Sequence, residues 1–100
     1  MTLTQTKNHK KRTMKRQEII NKVNEVMAKY GEIAADYIEP GDNYDELGAD
    51  SMKCLEALID IEDEFVINIP GSELINVRTM QDVYDIVEGK IKDTHGFQVY

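Results

Sequence analysis

The chain has 100 residues and a net charge of −7 at neutral pH, which predicts one domain with a modest core and no room for a deep substrate cleft. It has no run of 18 or more apolar residues, so no membrane span is expected. Its single cysteine, Cys54, excludes an internal disulfide framework, and its first sixteen residues lack the apolar region of a secretory signal. A cytoplasmic protein is therefore expected.

Charge is distributed unevenly along the chain. Residues 1–16 carry a net +6 without a single acidic residue, whereas residues 17–100 carry −13. The acidic part should repel nucleic acid and anionic membranes and be steered toward basic protein surfaces. The basic part is short and polar and has no aromatic residue, so residues 1–16 are predicted to form a disordered N-terminal arm. A basic arm could instead be directed toward nucleic acid or lipid, but the predicted partners include no nucleic acid and no membrane span is expected.

The first predicted helix covers Gln17 to Tyr30. Its apolar residues recur at helical spacing and form one stripe that should face a core: Ile19, Val23, Val26, Met27 and Tyr30. Gly31 is predicted to end the helix, because glycine readily adopts a positive φ. A long connection follows at residues 31–48, with room for a short helical turn. Its apolar residues are expected to lie against the core, and they are Ile33, Ala34, Ala35, Tyr37 and Ile38.

The second predicted helix runs from Ser51 to Phe65 and has a broad apolar side and an acidic side. The apolar side comprises Met52, Leu55, Leu58, Ile59, Ile61 and Phe65. The acidic side comprises Glu56, Asp60, Asp63 and Glu64. Cys54 is interpreted as a small apolar residue of this helix. The segment after the helix is β-branched but has no evident partner strand, so Ile67 and Ile69 are interpreted as side chains that fill the core.

Two more helices complete the pattern. A brief one near Ser72 to Asn76 should pack Leu74 and Ile75 inward. The last begins after Thr79, whose hydroxyl can cap it while Asp82 lies near its positive end. Its stripe is formed by Met80, Val83, Tyr84, Val87 and Ile91. Thr94 to Tyr100 is predicted to be a frayed tail. Three apolar stripes that must bury one another predict a small all-α bundle.

The tetrapeptide from Gly48 to Ser51 precedes the second helix and singles out one hydroxyl group. A serine at a helix start is most often only a cap. Gly48, however, leaves the serine sterically open, and the helix N-terminus favours a phosphate bonded to it. Asp50 could hold a metal ion or orient a phosphate donor. The arrangement suits a serine that another enzyme modifies, and the candidates for partner recognition are Met52, Glu56, Asp60 and Asp63.

Two other chemistries are disfavoured in this region, and one alternative stays open. Catalysis by Ser51 would need His9 or His95 as base, but both lie in predicted tails and no Gly-x-Ser-x-Gly elbow is present. A calcium loop starting at Asp42 would have Leu47 and Lys53 where glycine and glutamate are needed, so no dedicated metal site is predicted. A bundle that is never modified and acts as an interaction subunit through its acidic helix remains an alternative.

The segment Leu47 to Met52 resembles the attachment motif of acyl carrier proteins, which more usually has leucine in place of Met52. The resemblance covers residues 17–92 and includes Glu56, Glu62–Phe65, Ile67–Pro70 and Thr79–Val83. It implies a four-helix bundle with three long helices, one short helix and a long loop between the first two. It also implies that Ser51 carries phosphopantetheine from coenzyme A, whose thiol holds acyl groups as thioesters. Lys53 departs from the family, in which an acidic or polar residue is common there.

The resemblance further implies a carrier rather than an enzyme, in fatty acid biosynthesis or a related polyketide or specialised lipid route. Expected partners are a phosphopantetheinyl transferase and acyl-loading, condensing and acyl-transfer enzymes with basic docking surfaces. The expected organisation is an N-terminal arm at residues 1–16, a carrier domain at residues 17–92 and a flexible C-terminal tail at residues 93–100. A monomer is expected.

Overall fold

Four α-helices make up most of the described part of the chain. The computed structural model describes residues 13–31, 33–43 and 51–100, and for Ser51 the backbone alone. The helices are α1 (Arg16–Gly31), α2 (Ser51–Phe65), α3 (Gly71–Leu74) and α4 (Met80–His95), with a 3₁₀ helix at Ala35–Tyr37. Two short strands, β1 (Thr13–Met14) and β2 (Gln98–Val99), pair in parallel. Three long helices and one short helix confirm the predicted all-α four-helix bundle.

The stripes of α1 and α4 contribute much of the core, together with the buried side of α2. In α1 the buried apolar residues are Ile19, Val23, Val26 and Met27, and Tyr30 is half-buried at the end of the helix. In α4 the whole predicted stripe is at most 1% exposed, namely Met80, Val83, Tyr84, Val87 and Ile91. These two stripes were predicted correctly because each helix has only one apolar side. The helix α1 extends through Gly31 instead of ending before it.

The predicted Thr79 cap is present at the start of α4, where it forms part of a capping box with Asp82. The Thr79 hydroxyl accepts a hydrogen bond from the backbone N–H of Asp82 at 3.3 Å, and the Asp82 carboxylate accepts from the N–H of Thr79 at 3.1 Å. The same carboxylate oxygen accepts from the N–H of Arg78 at 3.0 Å. Backbone N–H groups that the helix leaves without partners are thereby satisfied. At the other end, Gly96 adopts a left-handed conformation with φ 70° and closes the helix.

The connection between α1 and α2 is attached to the start of α4. The carbonyl oxygens of Pro40 and Asp42 accept hydrogen bonds of 2.9 Å from the N–H groups of Gln81 and Met80. Ile38 is buried, and the predicted helical turn is present as the 3₁₀ helix. The prediction that Tyr37 lies against the core is wrong, because its side chain is 73% exposed. A short turn followed by an extended residue directs one apolar side chain inward and its neighbour outward.

The segment between α2 and α4 is held by core side chains. Ile67 and Ile69 are buried, as predicted, and Leu74 is half-buried against the core. Ile75 is 77% exposed, so the prediction that it packs inward is wrong. The helix α3 spans a single turn, and Ile75 is the residue that follows it, where the helical rotation no longer repeats toward the core.

Both ends of the described chain form contacts that the sequence does not predict. The helix α4 continues to His95, whose Nε2 lies 2.9 Å from the carbonyl oxygen of Phe65 at the end of α2. The N–H of Arg16 donates to the carbonyl oxygen of Tyr100 at 2.6 Å. The structure thus places residues 93–95 in α4, and residues 13–14 and 98–99 in paired strands. Local patterns give no sign of a strand pair whose members lie 85 residues apart.

Candidate functional site

Ser51 is the first residue of α2, as predicted. The other two residues proposed for the attachment site, Gly48 and Asp50, lie outside the described residues. The first turn of α2 contains no acidic side chain and includes the half-buried Lys53. Its backbone N–H groups and the positive end of the helix dipole favour an anionic group at this point. The local chemistry of α2 therefore fits a phosphate group linked to its first residue.

Apolar residues lie both on the buried side of α2 and on its exposed side. The side toward the core has exposures of 0–8% and comprises Cys54, Ala57, Leu58, Ile61 and Phe65. The opposite side exposes Met52 (64%), Leu55 (51%) and Ile59 (54%). The interpretation of Cys54 as a buried apolar residue is confirmed. The assignment of Met52, Leu55 and Ile59 to one apolar side with the buried residues is wrong, because a helix with two apolar sides does not reveal which of them meets the core.

The outer side of α2 combines apolar and acidic groups. Met52, Leu55, Glu56, Ile59 and Asp63 lie within about 100° of the helix circumference, given about 100° per residue, and all five side chains are exposed. We call these five residues the mixed face. Within the described residues, neither Glu56 nor Asp63 forms an ion pair. The mixed face begins next to Ser51 and offers apolar contacts together with two exposed carboxylates.

Asp60 is placed differently from the other two predicted recognition acids. Its Oδ2 accepts a hydrogen bond of 2.6 Å from the Tyr30 hydroxyl and lies 3.2 Å from the Lys29 ammonium nitrogen. These two groups, the hydroxyl first, lower the pKa of the Asp60 carboxyl. The same hydrogen bond raises the pKa of Tyr30. Asp60 is therefore held by the end of α1 at the edge of the mixed face.

The remaining acids of α2 have internal partners. Glu62 Oε2 accepts a hydrogen bond of 2.6 Å from the N–H of Ile69. Glu64 lies 3.7 Å from the ammonium nitrogen of Lys22 on α1. Both contacts tie α2 to its neighbours. Among the acids of α2, Glu56 and Asp63 are thus the two that have no ion pair or side-chain hydrogen bond to another described residue.

Comparison with known proteins identifies the family of the chain. Residues 18–87 match the family model described as a phosphopantetheine attachment site. The chain belongs to this family. The matched range includes Ser51 and the whole of α2, and acyl carrier proteins are among the most similar known proteins. The cofactor of the family is phosphopantetheine, attached covalently, and its members carry groups and do not catalyse reactions.

Curated relatives match over about half of the chain. An acyl carrier protein of Exiguobacterium sibiricum is 38% identical over 47 residues, which are 47% of this chain and 60% of the relative. An acyl carrier protein of Phaeodactylum tricornutum is 44% identical over 43 residues, or 43% of this chain and 57% of the relative. The chain therefore spans less than two thirds of the length of these relatives.

Solved structures resemble the fold over a larger part of the chain than the curated relatives match in sequence. The crystal structure of an acyl carrier protein from Thermotoga maritima superposes with a TM-score of 0.66 at 27% identity, and covers 78% of this chain and 92% of that one. An acyl carrier protein from Enterococcus faecalis gives a TM-score of 0.64 at 27% identity, with 77% and 99% covered. The four-helix arrangement of the family is thus present here.

The residues present in α2 fit the cofactor of the family. A phosphodiester at Ser51 would meet the N–H groups of the first helical turn without an opposing carboxylate in that turn. The described residues contain no group of three or more histidine, cysteine, aspartate or glutamate side chains placed to hold a metal ion. No helix among the described residues is long and apolar enough to cross a bilayer.

Proposed function

We propose that this chain is an acyl carrier protein and that Ser51 is its attachment residue. The observation that carries the proposal is the position of Ser51 at the first residue of α2, inside the family match and directly before the mixed face. Gly48 and Asp50 are proposed to assist attachment, the first by leaving room around the serine. The bound group supplies a terminal thiol that holds acyl groups as thioesters. The pathway is fatty acid biosynthesis or a related polyketide or specialised lipid route.

Attachment is a substitution at phosphorus. The Ser51 oxygen forms a new phosphodiester bond with the phosphopantetheine phosphorus of coenzyme A, and the anhydride bond to the adenosine bisphosphate portion breaks. That portion leaves with the bonding electron pair, and the hydroxyl proton passes to a base of the transferase. The N-terminus of α2 contributes N–H groups and a partial positive charge, both of which favour the anionic product. The carrier itself therefore needs no catalytic side chain.

The mixed face is proposed as the surface that successive enzymes recognise. A carrier must release each partner, so its contacts should be few and weak, and charge should act mainly on the rate of encounter. Glu56 and Asp63 provide charge, and Met52, Leu55 and Ile59 provide small apolar contacts. This composition fits a transferase, and acyl-loading, condensing and acyl-transfer enzymes, whose docking surfaces combine cations with an apolar patch. The carrier is proposed to work as a monomer in the cytoplasm.

Intact mass spectrometry tests attachment directly. The chain contains two serines, Ser51 and Ser72, and the second is exposed on α3, which makes it a matched control. After incubation with coenzyme A and a broad-specificity phosphopantetheinyl transferase, the original chain and Ser72→Ala should each gain the mass of one phosphopantetheinyl group. Ser51→Ala should gain nothing.

The opposite result would favour a different function. If the folded chain gains no mass with several such transferases, Ser51 is not an attachment residue under these conditions. The chain would then be an unmodified interaction subunit that uses the mixed face alone. If attachment succeeds, release of the native acyl group from material purified from cells, followed by its mass, identifies the cargo and hence the pathway.

A further inference from the structure

The end of α1 places a cation beside the acidic residues of α2. The Lys29 ammonium nitrogen lies 3.2 Å from Asp60 Oδ2 and 5.7 Å from the centre of the Tyr30 ring. The Tyr30 hydroxyl donates to the same carboxylate oxygen at 2.6 Å. Asp60 therefore has two donors from one neighbouring helix, of which only Lys29 carries charge.

The two donors have different consequences for a charged partner. The hydrogen bond from Tyr30 fixes the direction of the Asp60 carboxylate but leaves its charge unchanged. Lys29 adds a positive charge on the surface, since its side chain is 65% exposed. An ion pair this exposed contributes little to the stability of a fold. Its larger effect is on the electrostatic potential at the edge of the mixed face, where a docking partner would approach.

The three acids predicted for recognition are therefore unequal. Glu56 and Asp63 lie on the mixed face without an ion-pair partner in the described part of the chain, whereas Asp60 is neutralised by Lys29. A partner cation that approaches Asp60 must displace Lys29 or meet its positive charge. A partner with an uncharged or acidic group at that place meets no such repulsion.

We propose that Lys29 is a specificity-determining residue, which weakens docking of enzymes with a densely basic surface and favours enzymes whose cations face Glu56 and Asp63 but not Asp60. The inference rests on the proposed function, since it concerns which enzymes use the mixed face. Tyr30 is a positioning residue in this arrangement, because it orients Asp60 toward Lys29.

A matched pair of lysine substitutions tests the inference. Lys22 and Lys29 both lie on α1, and each pairs with one acid of α2, Glu64 at 3.7 Å and Asp60 at 3.2 Å. Lys22→Gln and Lys29→Gln change the net charge equally, but only the second uncovers an acid beside the mixed face. The readout is the KM of the carrier for a phosphopantetheinyl transferase with a basic docking surface, measured from low to high salt. Thermal unfolding confirms that both variants are folded.

Lys29→Gln should lower KM by about threefold at low salt, the size expected for one exposed charge pair. The gain should shrink as salt screens the charges, and Lys22→Gln should change KM by less than about half as much. Lys29→Met, which keeps the aliphatic stem, should behave like Lys29→Gln. In a background of Asp60→Asn the removal of Lys29 should still lower KM, because the exposed ammonium repels a basic partner whether or not the carboxylate is charged.

Two results would overturn the inference, and they separate it from the proposed function. If every variant is labelled but Lys22→Gln and Lys29→Gln lower KM equally, only net charge matters and Lys29 has no special role. The proposed function would then stand. If neither the original chain nor any variant is labelled while all are folded, both the proposed function and the inference that rests on it fail.

Discussion

The Tyr84 hydroxyl donates a hydrogen bond of 2.6 Å to the side-chain oxygen of Asn24 and so joins α4 to α1 inside the bundle. Tyr84 is 1% and Asn24 8% exposed, which makes Asn24 the buried polar residue of the described core. Tyr84→Phe leaves the Asn24 oxygen without this donor in a place that water reaches poorly. We expect the free energy of unfolding to fall by about 1–3 kcal/mol, measured by urea denaturation.

A second variant separates the loss of the hydrogen bond from the cost of leaving the buried Asn24 side chain without a donor. The double variant Asn24→Leu with Tyr84→Phe replaces both polar partners by apolar groups, so it should recover much of the stability that Tyr84→Phe loses. Equal stability of Tyr84→Phe and the original chain would show that the bond contributes nothing.

The capping box makes stability depend on acid pH through Asp82. Backbone N–H groups of Arg78, and then of Thr79, lower the pKa of this carboxyl. A carboxyl with a lowered pKa stabilises the fold above its unfolded value, about 4, and that stabilisation is lost as pH falls through the folded value. Asp82→Asn should therefore be less stable than the original chain at pH 7, and the difference should narrow below about pH 4. Urea unfolding at several pH values measures this, and a difference that does not vary with pH contradicts it.

The sequence predicts a helix well when its apolar residues leave only one way to face the core. This holds for α1 and α4, whose stripes are buried as expected. It also gives the bounds of α2, from Ser51 to Phe65. It does not give the orientation of α2, because Leu55 and Ile59 are as apolar as Leu58 and Ile61 yet lie on the outside. The sequence does contain one signal of this arrangement. Its apolar residues lie on two sides of α2, which is the pattern expected when one side is buried and the other is kept for partners.

Contacts between residues far apart in sequence could not be predicted from local patterns. Asp60 appeared equivalent to Glu56 and Asp63 along the helix, and only the packing of α1 beside α2 shows that Lys29 and Tyr30 hold it. The pairing of β1 with β2 is of the same kind. Local patterns in a single sequence do not indicate which distant residues are in contact, so these contacts are visible only in the folded structure.

The strand pair predicts that the last four residues stabilise the bundle. Phe97 and Val99 are half-buried against the core, and the Tyr100 carbonyl accepts from the N–H of Arg16. Deletion of residues 97–100 should lower the free energy of unfolding by about 1–2 kcal/mol, from the apolar area exposed. Tyr100→Ala keeps the backbone bonds and removes a ring that is 68% exposed, so it should be nearly neutral. If the deletion is as stable as Tyr100→Ala, this segment contributes nothing to folding.

Glu56 and Asp63, which form no ion pair with another described residue, predict a salt-sensitive interaction. Glu56→Lys combined with Asp63→Lys reverses both charges without breaking an ion pair in the described chain, so helicity should be retained. The rate of phosphopantetheine transfer at subsaturating carrier should fall by at least about tenfold at low salt. The deficit should shrink at high salt, because exposed charges are screened. Lys22→Gln, which changes a charge on α1 and leaves the mixed face intact, is the control. If the double variant is modified at an unchanged rate, partners recognise another surface.

The apolar residues of the mixed face predict that their loss slows transfer at every salt concentration, unlike the loss of the charges. Leu55→Ser and Ile59→Ser remove side chains that are already 51% and 54% exposed, so each should change the free energy of unfolding by less than about 1 kcal/mol. Each removes apolar area that a partner would cover, so transfer at subsaturating carrier should slow by roughly threefold to tenfold. That loss should persist at high salt, where the charge variant recovers.

Leu58→Ala, on the buried side of the same helix, is the contrasting variant: it should lower the free energy of unfolding by about 2–5 kcal/mol and leave the rate of transfer to the folded fraction unchanged. If Leu55→Ser and Ile59→Ser are transferred as fast as the original chain at every salt concentration, the exposed apolar residues of α2 are not a docking surface.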